Sequence, residues 1–338
     1  MTLSGLSGIE LYEPGALTLV AKAGTPVAEI SAALAEAGQR LAFEPMDHRA
    51  LLGTSGTPTI GGVVAANVSG PRRIQVGACR DFLLGVRFVD GQGNIIKNGG
   101  RVMKNVTGYD LVKLMAGSYG TLGAITEVAF KVLPSLPATG VLLIEGLDNA
   151  EAIRVMSKAL GSPYEVTGAA HTPKGLDGDP VTMLRLEGFE EAVTYRGKAL
   201  QDYLGRSGAF ERAPERTTAG WAWVRDVTPL AAHQGDIWRL SCKPSDGAEL
   251  ARRAMGDETL FDWGGGLIWV AVPAGTDLRA RLGDFAGHAT LMRASAATRA
   301  TLAVFQPEPA PLAAISSGLR QKFDPRGILN PGLMGPTS

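Results

Sequence analysis

Two glycine-rich stretches limit what this chain can fold into. In the first, Gly53, Gly56, Gly61, Gly62 and Gly70 are separated mostly by small residues; in the second, Gly117-Ser118-Tyr119-Gly120-Thr121-Leu122-Gly123 runs straight into the β-prone Ala124 to Val132. Glycine loses more backbone freedom on folding than any other residue, so the first stretch reads as a loop rather than a regular helix or central strand. Loops of this kind expose backbone, and N–H groups converging from them suit anionic oxygens such as those of a pyrophosphate. Taken alone, a tight structural turn is the plainer reading. The second stretch fits neither a mononucleotide P-loop nor a dinucleotide fingerprint. No Lys-Ser or Lys-Thr follows it, and its glycines open a strand where both motifs need a helix.

A length of 338 residues allows two domains, each with its own core. Glycine accounts for 44 of them, nearly double the usual roughly 7%. Lys plus Arg and Asp plus Glu balance at 33 each and basic residues form no long runs, which removes nucleic acid as a partner. Two cysteines, Cys79 and Cys242, give no disulfide framework and no ligand set for an iron–sulfur cluster, and they suit a reducing compartment. Met1 to Glu10 lacks a basic segment followed by an apolar run, and no stretch approaches the roughly 20 apolar residues of a membrane span. The expectation is a cytoplasmic protein.

Along the chain, Leu17 to Ala21 reads as a strand, followed by Thr25 as N-cap, Pro26 at the first helical position and a helix ending at Gly38. Phe82 to Val89 and Asn94 to Lys97 flank Asp90-Gly91-Gln92-Gly93, the turn chemistry of a hairpin. Pro134 and Pro137 mark a domain boundary. Beyond it come Val141 to Glu145, a helix carrying Ile153, Met156 and Leu160, then Val181 to Leu186 and a helix ending near Gly205. A second unit follows: Ile237 to Cys242, a helix to about Met255, the pair Leu260 to Trp263 and Leu267 to Val272, a helix near Leu278 to Phe285, and Ala289 to Met292. The expected fold class is α+β, with domains at 1–136 and 137–310 and a segment 311–338 that folds back on the first.

The order Pro58-Thr59-Ile60-Gly61-Gly62, Gly70-Pro71-Arg72-Arg73, Arg80-Asp81-Phe82, Val102-Met103-Lys104-Asn105-Val106-Thr107-Gly108-Tyr109-Asp110-Leu111 and Gly117 to Thr126 resembles the second FAD-binding subdomain of the vanillyl-alcohol oxidase and p-cresol methylhydroxylase (PCMH-type) superfamily. Within it, the Met103 to Leu111 string and the Gly70 to Arg73 turn are most similar to glycolate oxidase FAD-binding subunits. The similarity continues through Ile237 to Ser241, Phe261 to Gly265, Gly287 to Thr290 and Asp324 to Gly332. It implies a PCMH-type FAD domain joined to a cap of ferredoxin-like βαββαβ units. It also implies FAD as cofactor, with Pro58, Thr59, Ile60, Gly61, Gly62, Asn67 and Gly70 along the flavin and its pyrophosphate. Gly117, Gly120, Thr121, Leu122, Gly123 and Ile125 would present backbone to it, while Glu44-Pro45 and Asn330 would border the isoalloxazine. The resemblance begins after the first subdomain of such proteins, with Thr2 to Gly5 matching the end of its last strand. If nothing replaces that subdomain's loop, FAD loses several amide bonds at roughly 1.5–3 kcal/mol each.

The activity implied is oxidation of glycolate, or a similar 2-hydroxy acid such as D-lactate, by hydride transfer to flavin. The implied partners are a larger paralogous flavin subunit, which would hold the main substrate site, and an iron–sulfur subunit. The rival readings are a flavin-free assembly subunit and a self-sufficient dehydrogenase. No catalytic base is identifiable. Arg239, between Trp238 and Leu240, suits a bidentate carboxylate contact, although an internal salt bridge is the commoner use. His288 stands where related D-2-hydroxy acid dehydrogenases have a metal-binding histidine, but the acidic string that follows there is missing, so no metal is expected and a structural role is the plainer reading. Arg72 and Arg73 suit phosphate, a partner surface or a solvated loop. Lys104 and Tyr109 suit the flavin's surroundings, and Tyr109 and Asp110 alternatively fix their loop. Trp238, Trp263 and Trp269 are read as cap core.

Overall fold

The computed structural model of the chain describes residues 3–101 and 108–335. Two antiparallel sheets organise it. The first takes β1 (Ile9–Glu13), β2 (Thr18–Lys22), β3 (Leu83–Val89), β4 (Ile95–Gly99) and β5 (Ala124–Lys131) in the order β1-β2-β5-β3-β4. The β3–β4 hairpin forms as expected, because the Asp90 carboxylate accepts from the backbone amides of Gln92 and Asn94 and fixes the turn. Helix α1 (Val27–Glu36) packs Ile30 and Leu34 into the core of this sheet. Its N-cap is Pro26 rather than Thr25, whose hydroxyl is spent on the carbonyls of Gly8 and Lys22.

The first glycine stretch departs from expectation. Instead of an unbroken loop it holds a short helix, α2 (Ile60–Ala65), capped by Thr59, whose Oγ1 accepts from the Gly62 amide. Packing supplies what propensity does not. A Cβ on Gly61 would lie 2.7 Å from the Ala23 Cβ, so only glycine lets α2 lie this close to the chain leaving β2. A further helix, α3 (Leu111–Met115), is capped by the Asp110 carboxylate, which accepts from the Lys113 amide.

The second sheet has eight strands. They are β6 (Ala138–Glu145), β7 (Gly168–Thr172), β8 (Val181–Gly188), β9 (Ala209–Glu211), β10 (Asp236–Cys242), β11 (Glu258–Asp262), β12 (Leu267–Val272) and β13 (Gly287–Arg293), in the order β9-β6-β8-β7-β11-β12-β10-β13. This is two βαββαβ units joined through their second strands, where Phe261 meets His171. Helices α4 (Asn149–Leu160), α5 (Glu190–Leu204), α7 (Gly247–Ala254) and α8 (Leu278–Leu282) cover one face, and α6 (Pro214–Arg225) bridges the units. At one margin, Phe210 of β9 sits in a socket left by Gly140 and Gly197, where a Cβ on either would come within 2.4 Å of its ring. At the other, the 303–306 segment lies along β13: the Leu291 amide donates to the Val304 carbonyl, and Arg279 binds the Ala289, Ala303 and Val304 carbonyls together.

After α9 (Ala310–Phe323) the chain returns to the first sheet. Phe323 packs 6.1 Å from Phe88, and the Gly91 amide donates to the Phe323 carbonyl. A Cβ on Gly91 would lie 2.2 Å from Asp324 Oδ1, so the hairpin turn admits the tail only with glycine there.

Between the sheets lies an ionic cluster. Glu44 takes both Arg185 nitrogens at 2.9 Å and Arg72 at 2.7 Å, while Glu187 pairs with Arg72 at 2.6 Å and Arg40 at 2.9 Å. Arg72 is therefore neither a solvated loop residue nor free for a phosphate. Burial alone would raise both carboxyl groups, but Arg185 and Arg72 outweigh it and hold Glu44 and Glu187 below the ordinary range. Their contribution to stability is present above the unfolded value of 4.5 and is lost as pH falls through the lower folded values. Removing one partner strands a buried charge at a cost of roughly 3–5 kcal/mol. Thermal unfolding of Arg185→Met at neutral pH should show a loss of about that size, shrinking as the pH is lowered far enough to protonate both carboxylates.

Candidate functional site

The loops that the sequence singled out meet where the first sheet faces the cap. The Gly117 amide donates to the Val64 carbonyl and the Tyr119 amide to that of Ala65, so the second glycine stretch lies across the end of α2. Gly117 and Gly120 take φ of +86° and +69°, and Asn67, Tyr119 and Asn330 also hold left-handed backbone. Asn330 from the tail donates its side-chain amide to the Tyr119 carbonyl at 2.7 Å. Three separate segments are thus locked into one floor, with backbone conformations that cost energy for residues bearing a Cβ.

The expected cofactor residues divide by what they touch. Ile60, Leu122 and Ile125 send side chains into the first core, and Thr121 is buried with its hydroxyl on the Ser118 carbonyl. Gly61, Gly70 and Gly123 are glycine because protein approaches them: a Cβ on Gly70 would lie 2.2 Å from the Glu44 carbonyl oxygen, and one on Gly123 would lie 2.5 Å from the Phe88 ring. Pro58 and Thr59 are half-buried, the Pro58 carbonyl accepting from the Val27 amide, and Pro45 is half-buried on the loop after Glu44. Asn67 Oδ1 accepts from the Arg80 amide and so fixes the following turn. What remains open is the exposed Gly53 to Thr57 and Gly62 and the half-buried Gly120; the amides of Gly56, Thr57 and Gly120 have no protein acceptor among the described residues. Unsatisfied N–H groups on a floor with few side chains fit an extended anionic cofactor such as FAD.

Above this floor stands one face of the cap sheet. Arg239 on β10 lies opposite Trp269 of β12 and Thr290 of β13, and Ser241 lies opposite His288, so all five share a face. That face is packed against Met46 and Leu51 from the first half. The Trp263 indole N–H donates to the Gly70 carbonyl at 3.0 Å, tying cap to loop, and Arg73 lies 5.0 Å above its ring. Trp238 is cap core, as expected, whereas Trp263 is shared by both halves.

Arg239 does not form an internal salt bridge. Its guanidinium lies 5.2 Å from the Trp263 ring centre and 6.0 Å from that of Trp269, and among the described residues no carboxylate pairs with it. The nearby acid, Asp262, compensates little, because burial raises its carboxyl to about 7 against the smaller pull of the Trp263 amide and Arg185. Burial pulls the Arg239 guanidinium itself downward, with Arg73 acting in the same sense. An unpaired cation at a partly accessible position is costly unless an anion completes it. Tyr119, whose ring meets Phe305 edge-on at 4.8 Å, feels the Arg239 charge. His48 and His288 feel it too, both lowered first by burial and then by Arg239. The Glu44 carboxylate itself is committed to the ionic cluster. Tyr109 is exposed, and Lys104, with the rest of 102–107, lies outside the described residues. Among the described residues no group of three or more His, Cys, Asp or Glu is placed to hold a metal ion, and no helix is long and apolar enough to cross a membrane.

A family model described as an FAD binding domain matches residues 1–99. The chain is 37% identical over 329 residues to glycolate oxidase subunit GlcE of Escherichia coli K12, covering 97% of this chain and 84% of that protein. It is 42% identical over 154 residues to glycolate oxidase subunit GlcD of Bacillus subtilis, 45% of this chain and 31% of that one. It is 35% identical over 229 residues to a D-2-hydroxyglutarate dehydrogenase of Xanthomonas citri, 66% and 46% respectively. Among solved structures, an alkyldihydroxyacetonephosphate synthase superposes with a TM-score of 0.67 at 14% identity, over 98% of this chain and 67% of that one, a likeness of fold. Fold and site together define a PCMH-type flavoprotein, a flavin-dependent oxidoreductase subunit whose cofactor is FAD. More narrowly, the chain belongs to the family of glycolate oxidase FAD-binding subunits.

A side chain at Gly120 would meet a backbone made for glycine and the Asn330 amide 3.0 Å away. Left-handed strain of roughly 1–2 kcal/mol should lower the stability of Gly120→Val by about that amount, read by thermal unfolding.

Proposed function

We propose that this chain oxidises a small 2-hydroxy acid, glycolate or a near relative such as D-lactate, to the 2-oxo acid, in an assembly with a larger paralogous flavin subunit and an iron–sulfur subunit. The observation that carries the reading is Arg239: a largely buried guanidinium with no carboxylate partner among the described residues, on the cap face proposed to stand over the FAD floor. A substrate carboxylate would complete it in a bidentate pair, the strongest hydrogen-bonding arrangement open to arginine. The names of the relatives, glycolate oxidase subunits and D-2-hydroxy acid dehydrogenases, support the same substrate class.

Gly56, Thr57, Gly62, Gly120 and Leu122 would hold the cofactor, with Pro45 and Asn330 bordering its ring. When bound, FAD supplies the hydride acceptor that the protein side chains lack. Arg239 orients the acid by its carboxylate. Trp263, Trp269, Tyr119 and Phe305 form an aromatic wall that excludes water and limits the substrate to a short chain. His288, solvent-accessible and without a hydrogen bond among the described residues, stands at the outer rim opposite Ser241. The absence of ion pairing at Arg239 favours a substrate site on this chain over a purely structural subunit.

The test is glycolate oxidation with an artificial acceptor by the FAD-loaded chain, alone and with its companion subunits. Losing two charge-assisted bonds at roughly 1.5–3 kcal/mol each should raise KM in Arg239→Met on the order of a hundred-fold or more, with flavin content unchanged. An unchanged KM would refute the assignment.

A further inference from the structure

The ionic cluster between the sheets carries an excess charge. Arg40, Arg72 and Arg185 share two carboxylates, Glu44 and Glu187, and no other acid among the described residues pairs with any of the three. The bonding places the excess on Arg40. Arg185 binds Glu44 through two nitrogens, and Arg72 binds Glu187 through two and Glu44 through its third. Arg40 makes a single bond, from Nη1 to the Glu187 oxygen that Arg72 already holds. Among the described residues its Nη2 has no acceptor, and its Nε is buried without one. A guanidinium carries several N–H donors in a fixed fork, and leaving most of them unmet inside a protein is unfavourable.

Arg40 also lines a cavity of about 610 Å³ where the two halves meet. From the first half comes the ribbon Gln39–Arg40, paired with Leu133–Pro134, whose continuation supplies Leu136. The cap supplies Tyr164 ahead of β7, and Phe189, Ala192 and Tyr195, which recur at helical spacing at the start of α5 and so share one face. Leu136, Phe189 and Tyr195 are 41%, 78% and 71% exposed. One exposed apolar side chain is ordinary, but three around one cavity beside an underbonded cation mark a binding surface. The other charges in the lining cancel: Arg196 pairs with Glu165 at 2.9 Å and gives its remaining nitrogens to the carbonyls of Ala192 and Glu187.

We propose that this cavity is a second ligand site, which takes a monocarboxylate with an aromatic or aliphatic body. The carboxylate completes Arg40, and the body lies against Leu136, Phe189 and Tyr195. A single negative charge matches the single excess in the cluster, and among the described residues no lysine lines the cavity to meet the second charge of a phosphate. None of the lining residues belongs to the glycine-rich floor or to the Arg239 face. Because Arg40 comes from one half and α5 from the other, the ligand touches both. Bound by the folded chain alone, it raises the melting temperature in proportion to the logarithm of its concentration once saturating.

Phenylacetate is the probe, with phenylacetamide as its uncharged isostere and acetate as its head group alone. Calorimetry and thermal unfolding of the full chain should show saturable binding of phenylacetate, with either analogue about ten-fold weaker or worse. Arg40→Met should lose this binding, and Arg40→Lys should keep part of it. Removing Arg40 leaves two arginines with two carboxylates, so the variant should retain its melting transition. Tyr195→Ala, at an exposed position, should weaken binding several-fold without changing the free protein, and Arg239→Met should bind like the wild type. Binding that survives in Arg40→Met, or that disappears in Arg239→Met, overturns the assignment. Equal affinity for phenylacetamide does so too, as does a failure to saturate at concentrations on the order of tens of millimolar. If Arg40→Met does not fold, unchanged binding in both Tyr195→Ala and Phe189→Ala refutes the site.

Discussion

The bidentate pair between Glu44 and Arg185 joins the two sheets, and the site depends on it. Glu44 stands one residue before Pro45 and four before His48, and its own carbonyl abuts Gly70. Arg185 lies on a central cap strand, fully buried, with the Trp221 ring 4.3 Å away. Isolated, such a buried cation would be expensive; paired through two nitrogens with a carboxylate from the other half, it becomes a fixed point between them. Arg72 and Glu187 extend the pair into a network of alternating charge, and Arg72 belongs to the same turn as Gly70. The loops about the proposed flavin site are therefore registered against the cap by charge as well as by packing.

That registration bears on how a carboxylate can be recognised. In the cluster, Arg40, Arg72 and Arg185 all have acids. Arg239 sits on the same sheet, a few strands away, flanked by indole rings instead. The sequence contains equal numbers of acidic and basic residues, so an unmatched arginine in a recess is a local choice and not a consequence of global charge. Asp262 is the nearest candidate to neutralise it, and the same burial that isolates Arg239 pushes Asp262 towards its protonated form. The two effects together leave the Arg239 charge uncompensated beside the indole rings.

Much of the architecture was legible in the sequence because local chemistry and tertiary packing agree there. The Asp90 to Gly93 turn, the strands of the second βαββαβ unit and the glycine-rich run into β5 all appear where residue preferences place them, whereas β7 and β9 of the first unit were not read from the sequence. The exceptions share a cause. Helix α2 was hidden because Gly61 and Gly62 argue against a helix, whereas close contact with Ala23 requires them. Arg72 could not be separated from a solvated loop residue, since its acids lie 28 and 115 positions away. The chemistry of the candidate site was less visible still. Arg239 could be named from its apolar neighbours, but its lack of a partner is a property of three dimensions. Tyr119 and Trp263 carry no spacing signal, since they come from a left-handed turn and the end of a strand.

The cap sheet has a further consequence through its margins. Eight antiparallel strands would ordinarily leave two outer rows of unpaired amides and carbonyls, a surface on which any extended chain can add. Here one margin ends in three residues plugged by Phe210 between Gly140 and Gly197, and the other is overlaid by 303–306 under the grip of Arg279. Each row is thus interrupted, one by the brevity of β9 and the other by the backbone bond of Leu291 to Val304. Short or overlaid margins of this kind are a way for a folded sheet to limit edge-to-edge association.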